Sequence, residues 1–225
     1  MFNHIKADMH RILLRKGFLN LTAILIAVSV LAVLGFSSQY SAEKVLSFYP
    51  AINFLLFLLI SVVVNDYTLK EELYLKVIKN DMNTGVSRSQ YYTSKFLSGV
   101  ILIVTFWLVL SIVISVAAGF AASPEQAIQF FGGLFSLQQF LMILQVLFFV
   151  GVFQLFALFI QKTVLMLLIC GVVQQGLNSI AKTVPHMQDI LNKYNTGDFV
   201  SVFLTVLGII AIVWVGCLLF NKKEL

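Results

Sequence analysis

Apolar residues fall in six long runs, and the polar residues are confined to the stretches between them. The runs cover about Gly17–Ser37, Pro50–Asn65, Phe96–Ala121, Ser136–Ile160, Val164–Ala181 and Phe199–Phe220. A helix of roughly 20 residues crosses the hydrocarbon core of a bilayer, and there its backbone groups can only be satisfied within the helix. The pattern therefore predicts an all-α membrane protein of six transmembrane helices in one domain, residues 1–225. Residues 2–16 precede the first run. In them Ile5, Met9, Ile12 and Leu13 share one helical face, with Lys6, Arg11, Arg15 and Lys16 around the other. That is the pattern of an interfacial helix lying along a membrane leaflet.

The longest polar stretch is Asn65–Gly99, between the second and third runs. Tyr74, Ile78 and Met82 recur every fourth residue there, beside Leu73 and Val77, while Lys76, Lys79, Asn80 and Asp81 point elsewhere. Asn83-Thr84-Gly85 supplies a stop, with Gly85 suited to the left-handed position after a helix. The stretch at 66–95 reads as a docking helix for a partner in water. Further on, Ser123-Pro124-Glu125-Gln126 carries helix-start signals for a short external helix. Ser136 and Gln139 have capping-box spacing at the head of the fourth run. Gln161-Lys162-Thr163 is a tight turn, and Lys182–Asp198 is a longer external connector with a short helix possible from His186 to Tyr194.

Charge assigns the sides. Of the 15 Lys and Arg residues, those left outside by this topology are Lys44, Lys182 and Lys193. The rest gather at the N-terminus, in 66–95, at Lys162 and at the C-terminus, which predicts a multi-pass cell-membrane protein with both termini in the cytoplasm. The formal net charge of +5 thus reports topology, not nucleic-acid binding. Only 11% of residues are charged and 60% are hydrophobic, which excludes an ordinary soluble domain. Cys170 and Cys217 lie inside apolar runs and read as small hydrophobes.

The runs contain no Asp, Glu, Lys, Arg or His. Ion-coupled carriers usually bury ionisable groups, although Na⁺ can be held by uncharged oxygens. The three histidines (His4, His10, His186) lie outside the runs, so no nucleophile–base pair forms within the bilayer. The Glu71-Glu72 pair lacks an intramembrane histidine with which to share a metal and reads as a solvated loop. No phosphate-cradling loop is present. The chain is not expected to be an enzyme by itself or to hold a cofactor, and energy for uphill movement has to arrive through another polypeptide. Uncharged polar groups do occur in the fifth run: Gln174, Gln175 and Asn178, with Gly171 and Gly176 nearby. Small and amide residues favour close helix contact. This patch reads equally as a dimer seam or substrate-path wall and as internal packing. Gln145 and Gln154 in the fourth run are similar, while Phe149, Phe153 and Phe156 have the helical spacing of packing or lipid-facing residues.

Glu72 through Lys95 resembles the loop between the second and third spans of ABC-2 type transporter permeases. The likeness lies in Glu72, the amphipathic stretch to Asn80, Gly85-Val86-Ser87-Arg88, Tyr91-Tyr92 and Lys95. Where many members have Gly-Thr, this chain has Lys76-Val77. The basic first helix, the six runs and the tight turn after the fourth are also similar to that family. The resemblance implies a coupling helix seated on a separate ABC ATP-binding subunit, which would hold ATP and Mg. Glu72, Tyr74, Lys76, Ile78, Lys79, Asp81, Met82, Gly85 and Arg88 would make the contact. It also implies a second permease subunit, the same or different. The small size is similar to permeases of bacterial exporters for amphipathic peptides, such as those for bacteriocin immunity and phenol-soluble modulins. An ion-coupled secondary transporter and a non-transporting immunity or sensor protein remain alternatives.

Overall fold

The computed structural model describes residues 2–37, 59–70, 73, 78, 85–121, 125, 128, 131–133, 135–160, 162, 165, 168 and 199–222. The regular elements among them are helical: α1 (Phe2–Leu13), α2 (Lys16–Ser37), α3 (Leu59–Leu69), α4 (Arg88–Ala121), α5 (Leu137–Ala157) and α6 (Phe199–Lys222). Three of them, α4, α5 and α6, are long and apolar enough to cross a membrane. Counting the bent pair α1–α2 as one span makes four. That is fewer than the six expected. Most of the second and fifth runs lies outside the described residues, as do the external helix starting at Ser123-Pro124 and the connector 182–198.

Each described element has a local cause. Residues α1 and α2 meet at a 70° bend, where Arg15 leaves the helical ladder between Leu14 and Lys16. The apolar side of α1 is turned onto the bundle, with Ile12 fully buried, so the chain itself covers much of the face expected to lie on a leaflet. Helix α3 runs into a π-helical turn, Asp66–Lys70, which carries the helix beyond the apolar part of the second run. Helix α5 starts as the capping-box spacing predicts: the Ser136 hydroxyl accepts the Gln139 N–H at 3.4 Å.

Helix α4 begins eight residues earlier than the apolar run it contains. Its cap is Ser87, whose Oγ accepts the Gln90 N–H at 3.3 Å. The signal was present in Ser87-Arg88-Ser89-Gln90, which has the same spacing as Ser136 and Gln139. At 34 residues, α4 is about 51 Å long at 1.5 Å per residue, well beyond a ~30 Å hydrocarbon core.

Helix α4 is the hub, packing against α1, α2, α5 and α6. Gly99 faces Val150, and the Tyr92 carbonyl accepts from Gln154, so α4 and α5 are antiparallel. Phe148 lies against Gly208 and Gly151 against Ile212, so α5 and α6 run in the same direction. The main apolar core joins Phe18 and Leu25 of α2, Ile60 and Val64 of α3, Ile103 through Ile114 of α4, and Met142 through Val150 of α5. A second cluster closes one end of the bundle.

Candidate functional site

That end gathers the cations and the central polar stretch. Its floor is apolar: Val62 and Leu69 of α3, Tyr91 and Tyr92 of α4, Phe153 and Ala157 of α5, and Phe220 of α6. The Tyr91 ring stacks on Phe220, centroids 6.1 Å apart, and Tyr92 tilts against it at 5.7 Å. Gly216 lets Tyr92 approach α6: a Cβ there would collide with the phenol ring itself. Leu73 and Ile78, both from the central stretch, are buried in this cluster.

A polar network surrounds it. Asp8 of α1, 3% exposed, takes a 2.6 Å charge-assisted bond from Lys95 of α4, itself 2% exposed. The Ser98 hydroxyl donates to the other Asp8 oxygen at 3.1 Å, and Arg11 lies 3.4 Å from the first. Arg11 also donates to the Tyr67 carbonyl, within the π-helical turn, at 2.7 Å. The Arg15 guanidinium stands 4.9 Å over the Tyr67 ring. The Tyr67 hydroxyl rests against Gly17, where a Cβ would come within 3.0 Å. Asn65 donates to the Phe153 carbonyl at 3.1 Å and Gln154 to the Tyr92 carbonyl at 3.2 Å, so buried amides bind α3 to α5 and α5 to α4. At the far edge Arg88 donates to the Asn221 carbonyl at 3.0 Å, and Ser89 exchanges bonds with the Asn221 side chain.

The expected contact residues fare differently. Gly85 has φ 89°, the left-handed conformation its sequence position suggested. Arg88 opens α4 and is partly engaged by the end of α6. Ile78 is 1% exposed and packed in the cluster at this end of the bundle. Glu72, Tyr74, Lys76, Lys79, Asp81 and Met82 lie outside the described residues, and so do Gly171, Gln174, Gln175 and Asn178. Phe153 is buried while Phe149 and Phe156 pack against the same cluster, so this triplet serves packing.

Lys95, expected at the end of the polar stretch where the third run opens, lies within α4 and is paired with Asp8. Asp8 was missed because nothing local marks it. It is the one acid on a basic amphipathic helix, and only its distance partner explains it. That lone acid beside Ile5, Met9 and Ile12 was the available signal. Chemically, the site lacks a nucleophile–base arrangement among the described residues. What its contacts do is tie α1, α3, α4, α5 and α6 together at one end of the bundle. The chain matches no family model, no curated protein and no solved structure.

Proposed function

We propose that this chain is the membrane permease subunit of an ATP-driven exporter of the ABC-2 type, with the central stretch 66–95 as its contact with a separate ATP-binding subunit. The observation that carries the reading is the seating of that stretch: Leu73 and Ile78 are buried among the ends of α4, α5 and α6. A push on the stretch is thereby delivered to three long helices at once. On this reading the basic end faces the cytoplasm, and Lys76, Lys79, Asp81 and Arg88 form the charged rim of the contact. Ile78 holds the stretch to the bundle instead of touching the partner. A second permease subunit completes the path, and an amphipathic peptide is the substrate class. Gln174, Gln175 and Asn178 stand as candidates for a dimer seam or path wall.

The ion-coupled carrier is the second reading. The observation in its favour is the Asp8–Lys95 pair, an ionisable couple buried in the bundle. The pair is mutually neutralised and sits near the start of α4, away from the middle of the spans, so it suits a fastening better than an ion site.

The experiment is charge reversal at Lys76→Glu and Lys79→Glu in the tagged chain isolated from its native membrane. The unaltered chain is expected to bring down ATP hydrolysis, and the double variant to lose at least tenfold of it, a difference of about 1.4 kcal/mol in association. Equal ATP hydrolysis in both preparations, or none in either, defeats the docking assignment.

A further inference from the structure

Helix α1 reaches across to the point where the chain leaves α3 for the central stretch. Three contacts define the crossing. Asp8 enters the bundle and is held by Lys95 and Ser98 of α4. One turn later, Arg11 donates to the Tyr67 carbonyl inside the π-helical turn. At the bend that follows, Arg15 covers the Tyr67 ring and Gly17 abuts its hydroxyl. A π-helical turn is rare and is found frequently at functional sites. Here one of its carbonyls is taken by a side chain from 56 residues away.

We propose that α1 is the positioning element for the mouth of the central stretch: Asp8 fixes α1 on α4, and Arg11, carried on that fixed helix, holds the Asp66–Lys70 turn in place. Removing one partner of a buried ion pair is strongly destabilising, so losing Asp8 or Lys95 is expected to loosen α1 on α4. The two residues divide the work, and the inference holds whatever drives the chain.

Backbone hydrogen exchange of the full chain in lipid nanodiscs tests it, because exchange reports local opening segment by segment. Arg11→Met leaves the Asp8–Lys95 pair intact. It is expected to speed exchange in 66–70 about tenfold while α1, α5 and α6 keep their protection. Asp8→Asn is expected to speed α1 and 66–70 together. Unchanged exchange in 66–70 in the Arg11→Met protein overturns the inference. So does a loss of protection spread equally over α5 and α6 in that variant, which would mark Arg11 as a general stabiliser. Should Asp8→Asn fail to fold, the Arg11→Met result decides alone.

Discussion

Helices α4 and α6 are both long and apolar enough to cross a membrane, yet they are held differently. In its most apolar stretch α4 is 44% buried within the chain and α6 only 11%. Helix α4 is fastened by an ion pair, one hydroxyl and an amide at its basic end. Helix α6 presents Phe203, Leu204, Leu207, Ile210 and Trp214 outward, and its buried residues are the small Ser201, Thr205 and Gly216 with Phe220 at the basic end. In a bilayer an outward leucine costs nothing, since lipid tails are as apolar as the side chain, and small residues let helices approach. Burial alone is then a poor guide to what holds a helix. Polar groups at the basic end carry the specificity, and the apolar surface of α6 suits a hydrocarbon solvent.

The contrast breaks most severely at Lys95. Lys95→Met leaves the Asp8 carboxylate buried without its cation and is expected to lower unfolding stability by about 3–5 kcal/mol. Adding Asp8→Leu should recover most of the loss, because an apolar pair of similar volume is often as good as a buried ion pair. Unfolding in bicelles measures both, and equal losses in the single and double variants would contradict the pairing. A smaller effect is expected where α4 and α6 touch. Gly216→Ala drives a methyl into the Tyr92 ring and should cost roughly 1–3 kcal/mol. Gly35→Ala in α2, where a Cβ meets nothing within 4 Å, should stay within about 0.5 kcal/mol. Comparing their unfolding midpoints separates close contact from helix propensity. The smallest effect belongs to the outward face of α6: Leu204→Ala should change the same midpoint by less than about 0.5 kcal/mol. A large loss there would mean that another chain, and not lipid, covers the face.

Much of this architecture could be read from residue order. The apolar runs placed the ends of α2, α5 and α6 to within three residues, because a long helical apolar run declares itself by length and hydropathy alone. Ser136 and Gly85 were legible because a cap and a left-handed turn are local requirements. The long start of α4 was legible in principle at Ser87 and Gln90, but the polar stretch masked it: Arg88, Gln90 and Lys95 look like loop residues when span limits are drawn by hydropathy. The fastenings were not legible. Asp8 meets Lys95 across 87 residues and Arg11 meets Tyr67 across 56, and pairings of that range leave no trace in periodicity. Ile78 shows the same limit from the other side. An apolar stripe on a short helix states that a surface will be covered, and leaves open whether a partner or the parent chain covers it.

The central claim is that this bundle moves its cargo only when driven through stretch 66–95 by a nucleotide-consuming companion. The direct measurement is uptake of a labelled amphipathic peptide into inside-out vesicles holding the purified chain, with and without that companion and ATP. Transport is expected only when both are present, and collapsing the ion gradients should leave it unchanged. Uptake by the chain alone, driven by an ion gradient and indifferent to ATP, would contradict it.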